Sequence, residues 1–213
     1  MTRLTLDFYH DVVCGWCFNL SPRLRRLADE FNLDVRHRSF VLQENQSQMV
    51  AVFGSMAQAK TTILGHWVAC RAASDTPEAF NTEAMRAARF DYPHGLPAAL
   101  ACKAAERLAG QAGHWHMFDA LQRAHISQAR NVADPAVLRD VAGEAGFDAA
   151  ELARLMAQDA TRSALEADRK AARRHQVASV PTVIVEETGA RLVNAQMADL
   201  RAQIRANLLL AEA

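Results

Sequence analysis

The sequence Cys14-Gly15-Trp16-Cys17 brings two thiols within three positions of each other, directly after a short apolar segment. In that segment, residues 4–9, apolar and polar side chains alternate, and this two-residue period predicts a β-strand. After the cysteines, apolar residues recur at helical spacing, which predicts an amphipathic helix. The two thiols are therefore predicted to lie where a strand ends and a helix begins.

This position favours reversible thiol–disulfide chemistry. The N-terminus of a helix has unpaired backbone N–H groups and the positive end of the helix dipole, which stabilise the thiolate of Cys14 relative to its thiol. A thiolate is the species that attacks a disulfide, and Cys17 is close enough in sequence to displace the resulting mixed disulfide. We therefore interpret Cys14 as the nucleophile and Cys17 as the resolving thiol.

The same cysteine spacing also occurs in zinc and iron–sulfur sites and in structural disulfides. A metal site of this type usually needs a second pair of thiols or imidazoles at short spacing, and the other cysteines, Cys70 and Cys102, stand singly and far apart. A disulfide that closes so short a loop would constrain the unfolded chain very little. Both alternatives are therefore less favoured than catalysis.

The composition argues against several classes of partner. Lys plus Arg and Asp plus Glu both total 24, so the formal net charge is zero and nothing draws the whole chain to nucleic acid or to an anionic membrane. Charged or polar residues interrupt every apolar run before it reaches the length of a membrane span. The first strand starts within a few residues of Met1 without the pattern of a signal peptide, so we expect a cytoplasmic protein. In that reducing compartment, paired cysteines are more often catalytic than permanent crosslinks.

The rest of the chain predicts an α/β protein with a long helical insertion. Residues 33–42 predict a second strand parallel to the first, which completes a β-α-β unit. Residues 43–157 are rich in Ala, Leu, Met, Gln and Arg, carry helix start and stop signals and contain no convincing strand. Strand character returns at residues 180–185 and 191–193, which predict a hairpin followed by a final helix.

Helical periodicity and the positions of Gly and Pro predict the bounds of the later helices. The predicted ranges are 55–73, 97–109, 114–125, 134–143, 159–175 and 198–210. We therefore predict one domain formed by residues 1–42 and 158–213, into which a helical domain of residues 43–157 is inserted.

The order of these elements, with a CxxC motif after the first strand and Val-Pro-Thr at residues 180–182, resembles the thioredoxin fold. The large all-helical insertion is similar to that of the DsbA family in particular. The sequence DVVCGWC at residues 11–17 resembles the cytoplasmic FrnE-like branch of that family, whose motif is commonly CPWC. Gly15 departs from that motif, and residues 175–179 lack the glycines often found before the late proline.

The resemblance implies roles for three further residues. In this superfamily the late proline, here Pro181, follows a cis peptide bond and lies beside the CxxC motif. The residue before it, here Val180, offers its backbone N–H and C=O groups to an extended substrate peptide. From position alone, a proline at the start of a strand is also ordinary. Trp16, between the thiols, would offer an aromatic surface to an incoming disulfide or else pack on the insertion.

The function that the resemblance implies is that of a thiol–disulfide oxidoreductase without an organic cofactor or a metal ion. Its substrates would be proteins or peptides that carry disulfides or thiols, and glutathione or a reductase would recycle the two cysteines. An alternative is a glutathione-dependent transferase or isomerase of the kappa-class or 2-hydroxychromene-2-carboxylate isomerase type, which typically has Ser where Cys14 stands. A second alternative is a non-enzymatic binding module that is switched by its disulfide.

The remaining cysteines and histidines are interpreted as structural. Cys70 and Cys102 lie on apolar helical segments and are expected to be small buried hydrophobic residues, with a second redox pair as the alternative. On one helix, His114 and His116 point to nearly opposite sides, and His125 is about 16 Å from His114 along the axis. These three side chains cannot bind one ion from a single helix, so we interpret them as surface or packing residues.

Two carboxylates are close in sequence to the thiols, Asp7 and Asp11. A carboxylate beside Cys17 would either accept its proton or raise its pKa by repulsion. The sequence does not distinguish these effects, nor does it select one of the two residues.

Overall fold

The computed structural model describes residues 3–212, whose sheet has four strands: β1 (Thr5–His10), β2 (Asp34–Ser39), β3 (Thr182–Val185) and β4 (Arg191–Leu192). The strands pair in the order β2-β1-β3-β4. β1 runs parallel to β2 and antiparallel to β3, and β3 and β4 form an antiparallel hairpin. β1 is therefore central, and five of its six residues are buried.

Helices connect these strands and account for most of the chain between β2 and β3. They are α1 (Gly15–Phe31), α2 (Gln46–Phe53), α3 (Met56–Ala72), α4 (Thr82–Ala87), α5 (Leu96–Gln122), α6 (Pro135–Glu144), α7 (Ala149–Met156), α8 (Asp159–Arg174) and α9 (Met197–Ala211), with a 3₁₀ turn at Pro77–Ala79 and a π-helical turn at Arg123–Ser127. This arrangement confirms the predicted α/β, thioredoxin-like fold with a large all-helical insertion. Most buried apolar residues form one large cluster to which both the sheet and the insertion contribute, and two smaller clusters include the buried apolar residues of α8. The predicted division into two domains stays a prediction.

The predicted helices are present, but three short ones were missed: α2, α4 and α7. Each begins at a side chain that accepts a hydrogen bond from a backbone N–H group two or three positions later; these caps are Asn45, Asn81 and Asp148. Helices of six to eight residues are too short to show a clear apolar period. Their caps were visible in the sequence and are the signal that would have found them.

The long helix α5 is kinked at the predicted break. Ala109 has φ −142° and ψ 25°, and Gly110 has φ 63°, a left-handed conformation that glycine adopts without steric penalty. Beyond the kink, the side chain of Gln111 accepts a hydrogen bond of 2.6 Å from the backbone N–H of His37 in β2. The kink therefore lets the second half of α5 pack against the edge of the sheet.

A buried group of charges joins α5 and α8 to β2. The ammonium of Lys103 lies 3.0 Å from the carboxylate of Asp168 and 2.5 Å from that of Glu106. The Asp168 carboxylate also accepts a hydrogen bond of 3.0 Å from the N–H of Ser39 and lies 3.5 Å from Arg38. Buried charges are stable only when they are paired and hydrogen-bonded, so this group constrains how the helices dock.

Among residues 3–212, none of the helices has the length and apolar character needed to cross a bilayer.

Candidate active site

Both thiols of the CxxC motif lie at the N-terminus of α1. Cys14 is the N-cap residue, with an extended backbone (φ −90°, ψ 112°), and its Sγ accepts a hydrogen bond of 3.2 Å from the N–H of Cys17. The sulfur thus takes the place of the oxygen in an ordinary N-cap and receives an otherwise unpaired N–H group. Reactive cysteines commonly occupy such a position at a helix N-terminus.

The two thiols differ in their access to solvent. Cys14 is 7 % exposed and Cys17 is completely buried, whereas Trp16 between them is 36 % exposed. Burial raises the pKa of the Cys17 thiol well above its ordinary value, and the neighbouring Cys14 and the charge of Asp11 raise it further. An incoming disulfide therefore meets Cys14 first, while Cys17 is held as a protonated thiol.

Residues 180 and 181 lie beside the first thiol, although they are far from it in sequence. The Val180–Pro181 peptide bond is cis. The Cys14 thiol donates a hydrogen bond of 3.7 Å to the carbonyl oxygen of Val180, and β3 begins immediately after the proline. The structure therefore brings the CxxC motif and the Val180–Pro181 segment together, and the role of that segment in binding substrate stays a prediction.

A cleft of about 270 Å³ opens at the motif. One wall contains Cys14, Trp16 and Val180, which the sequence predicted as site residues. The opposite wall comes from the helical insertion and is formed largely by Phe53, Ile63, His66, Trp67, Cys70 and Tyr92. Most of these side chains are apolar or aromatic, so the cleft suits an apolar or peptide-like ligand. The sequence did not identify the residues of this second wall.

Two residues of the insertion hold the loop that precedes Cys14. The side-chain amide of Gln122 donates hydrogen bonds to the carbonyl oxygens of Cys14 (3.1 Å) and Val12 (3.2 Å). The hydroxyl of Tyr92 donates to the carbonyl oxygen of Val13 at 3.0 Å and is itself 2.9 Å from Nε2 of His125. His125 is thus a buried packing residue.

Sequence reasoning missed both Gln122 and Tyr92. Both lie in the insertion, and the carbonyl groups of residues 12–14 to which they donate are 79 to 110 positions away in the chain. A buried glutamine or tyrosine has no local pattern that distinguishes it from other helix or loop residues. Only the packing of the insertion against the thioredoxin-like part brings these side chains to the loop.

Asp11 is the carboxylate whose charge raises the pKa of Cys17. It is 2 % exposed, and it accepts hydrogen bonds from the N–H groups of Val13 (3.2 Å) and Leu42 (2.8 Å). Burial raises the pKa of Asp11 to about 6, although these hydrogen bonds oppose the increase. Asp7, in contrast, is paired with Arg38 at 2.9 Å. The structure therefore selects Asp11 from the two carboxylates that the sequence left open.

Cys70 packs against the motif from α3. A Cβ atom placed on Gly15 would lie 3.1 Å from the Cys70 Sγ and 3.4 Å from the ring of Phe80. Burial raises the pKa of the Cys70 thiol to about 12. Cys102 is completely buried, and burial also raises its pKa. Both cysteines are thus buried as predicted, and a side chain at position 15 would be in tight contact with Cys70.

We expect Gly15→Pro, which restores the common CPWC motif, to lower the free energy of unfolding of the reduced protein by about 1–3 kcal/mol. The physical reason is overpacking, because the new Cβ atom would crowd the Cys70 sulfur. Urea unfolding followed by circular dichroism measures the effect. In a Cys70→Ala background the cost of Gly15→Pro should be smaller, and an equal cost in both backgrounds would contradict this explanation.

The comparisons with known proteins agree with this geometry. The family model of the DSBA-like thioredoxin domain matches residues 5–205. No curated protein matches the chain significantly. The chain is similar to a solved structure of a putative protein disulfide isomerase from Nitrosomonas europaea, with 19 % identity over 98 % of this chain and 99 % of the other and a TM-score of 0.78.

Two further solved structures are informative. The cytosolic disulfide reductase DsbM from Pseudomonas aeruginosa is 25 % identical over 97 % of this chain and all of its own, with a TM-score of 0.74. A 2-hydroxychromene-2-carboxylate isomerase is 15 % identical over 97 % of this chain and 95 % of its own, with a TM-score of 0.63, a likeness that shows the fold alone. The assignment to the FrnE-like branch stays a prediction. From the match over residues 5–205, the chain belongs to the DSBA-like thioredoxin domain family.

Proposed function

We propose that this protein is a thiol–disulfide oxidoreductase in which Cys14 is the nucleophile and Cys17 is the resolving thiol. The observation that carries the proposal is the position of the Cys14 sulfur. It accepts the N–H of Cys17 at the start of α1 and lies 3.7 Å from the carbonyl oxygen of Val180. A cysteine sulfur at a helix N-terminus, beside the backbone segment before a cis-proline, is placed to attack a disulfide in an extended peptide.

The exchange proceeds in two successive steps. The Cys14 thiolate attacks one sulfur of the substrate disulfide, so a mixed disulfide forms and the second substrate sulfur leaves as a thiolate. Cys17 then loses its proton and attacks the Cys14 sulfur, which forms the Cys14–Cys17 disulfide and releases the first substrate sulfur as a thiolate. The substrate gains two electrons and the protein loses two. The same steps in reverse introduce a disulfide into a dithiol.

Asp11 supports the second step as proton acceptor. With a pKa of about 6, its carboxylate is ionised at neutral pH, and its charge is one of the causes that raise the pKa of Cys17. That repulsion keeps Cys17 protonated until the mixed disulfide has formed. Transfer of the Cys17 proton to Asp11 then removes the repulsion and generates the attacking thiolate.

Val180 and Trp16 are proposed to hold the substrate. An extended segment on either side of the substrate disulfide would pair with the backbone of Val180, as an additional strand would. The half-exposed ring of Trp16 forms part of the cleft at the thiols and would cover the apolar side chains of that segment. Pro181 itself has no N–H group, so at this position the pairing with substrate would rest on the backbone of Val180.

The compartment and the redox partner follow from the same family. The similar DsbM is described as a cytosolic disulfide reductase, and one of its structures contains glutathione. We extend both properties to this chain, with glutathione or a reductase as the electron donor and with disulfide-bearing proteins or peptides as substrates. In the cytoplasm, the low reduction potential of the glutathione pool favours reduction of the Cys14–Cys17 disulfide. The protein would therefore reduce the disulfides of its substrates. The exchange itself needs no metal ion or organic cofactor.

The redox equilibrium of the two cysteines tests this proposal. The protein is incubated in buffers of defined glutathione ratio, quenched with acid, denatured and labelled with a thiol-specific mass tag. We expect a reversible two-electron transition from four tagged cysteines to two, with Cys14 and Cys17 lost together. Cys102→Ala is the matched control, since it removes a thiol of α5 and should leave the midpoint unchanged. The proposal fails if no intramolecular disulfide forms at any ratio.

A further inference from the structure

Three histidines from different elements meet in the core. His10 is the last residue of β1, His37 lies in the middle of β2, and His114 lies in the second half of α5. Each is at most 1 % exposed. One nitrogen from each ring lies within 4.8 Å of one nitrogen from each of the other two, and the ring centroids are 5.1 to 5.2 Å apart.

The hydrogen bonds of these rings leave several nitrogens without a partner. Nδ1 of His37 is 3.1 Å from Nε2 of His10. Nδ1 of His114 donates to the carboxylate of Glu106 at 2.7 Å, so its Nε2 is the deprotonated nitrogen. Within residues 3–212, that Nε2, Nδ1 of His10 and Nε2 of His37 are buried and have no hydrogen-bond partner. Buried polar atoms without partners are costly, and this cluster has three of them.

We propose that His10, His37 and His114 together bind one Zn²⁺ ion. Imidazole nitrogens bind zinc at 2.0–2.1 Å, so two of them on one tetrahedral ion are about 3.3 Å apart, close to the 3.1 Å between Nδ1 of His37 and Nε2 of His10. These two nitrogens would give up their mutual hydrogen bond for the ion, and the unpartnered Nε2 of His114 would be the third ligand. The pair of Glu106 and His114 repeats the carboxylate–histidine arrangement that orients zinc ligands.

The charges around the cluster are compatible with a buried cation. Two carboxylates lie beside the cluster: Glu106 contacts both His114 and Lys103, and Asp168 is 3.0 Å from Lys103. In the described part of the chain no fourth His, Cys, Asp or Glu joins the group, so water or hydroxide would complete the coordination. Because the three ligands are closed to solvent, the ion would be structural. It would tie the end of β1, four residues before Cys14, to β2 and α5.

The sequence predicted no metal site because it compared His114 only with histidines of its own helix. The proposed ligands come from two strands and one helix, and they are 27 and 77 residues apart in the chain. Only the kink of α5 at Ala109 and Gly110 brings His114 to the sheet. The proposed zinc site does not depend on the proposed redox function, so an experiment can contradict either proposal without affecting the other.

Metal binding is tested in a Cys14→Ser/Cys17→Ser variant without a histidine tag, because thiolates at the motif would otherwise bind zinc. After dialysis against a weak chelator, mass spectrometry of the metal content should find one zinc per chain. Refolding with Co²⁺ should give the visible absorption bands of a four-coordinate site without thiolate charge transfer. Protein that refolds without bound metal and shows no cobalt spectrum would overturn the proposal.

Single histidine variants in the same background locate the site. The His37→Gln variant is expected to bind zinc about tenfold more weakly or worse. The His116→Gln variant should keep the affinity of the parent, because His116 is an exposed residue two positions from His114. An equal loss in both variants would also overturn the proposal. If His37→Gln does not fold, the cobalt spectrum of the parent variant still decides the question.

Discussion

The Cys14→Ser variant is expected to lose disulfide exchange by about three orders of magnitude or more, as enzymes do when a nucleophile is removed. A serine hydroxyl at the same N-cap position is not ionised at neutral pH and cannot form a disulfide. The 3.2 Å hydrogen bond from the N–H of Cys17 would be kept with oxygen in place of sulfur, so the fold should be unaffected. Stopped-flow reduction of a fluorescent peptide disulfide measures the loss.

This variant also separates the proposed function from its alternatives. Cys102→Ala is the control and should keep the exchange rate, because its thiol is not part of the motif. If Cys14→Ser keeps a glutathione-dependent transferase or isomerase activity, the dithiol mechanism is wrong and the relation to 2-hydroxychromene-2-carboxylate isomerase extends beyond the fold. If the wild-type protein changes conformation on oxidation but turns over disulfides negligibly, it is a redox-switched binding module.

The largest effect on stability is expected for Asp168→Ala, which should lower the free energy of unfolding by about 3–5 kcal/mol. Lys103 and Asp168 have side chains that are only 4 % and 3 % exposed, and their charged atoms are 3.0 Å apart. Without Asp168, Lys103 keeps a single carboxylate partner, and the N–H of Ser39 loses its acceptor. Both groups remain buried, so the penalty of desolvation is no longer offset.

Urea unfolding at equilibrium, followed by circular dichroism, measures this loss as a lower midpoint with an unchanged slope. Asp140→Ala is the matched control, since Asp140 is 66 % exposed and lies 3.4 Å from Arg130. A surface pair of this kind contributes about 0–1 kcal/mol. Asp168→Asn keeps an oxygen for Ser39 and removes only the charge, so its loss should fall between the other two. A loss for Asp168→Ala no larger than that of the control would show that the buried pair does not stabilise the fold.

The sequence was sufficient for those features that depend on neighbouring residues. The alternation of residues 4–9, the helical spacing after Cys17 and the strand character of residues 180–185 each specify a local conformation within a few residues. Together with the CxxC motif, they predicted the sheet, its flanking helices and the position of both thiols at a helix N-terminus. The bounds of β2 were less accurate, because the chain leaves the sheet where Leu42 binds the Asp11 carboxylate, a contact over 31 residues.

What surrounds the thiols could not be predicted, because it depends on contacts between residues that are far apart in the chain. Gln122 and Tyr92 reach the loop before Cys14 only when the insertion has packed. Tertiary packing pairs Asp7 with Arg38 and leaves Asp11 as the carboxylate whose charge raises the pKa of Cys17. The histidine cluster depends in the same way on two strands and one kinked helix. The motif and its chemistry are thus local properties, whereas the electrostatic environment of that chemistry arises from tertiary packing, because desolvation and charge act through space.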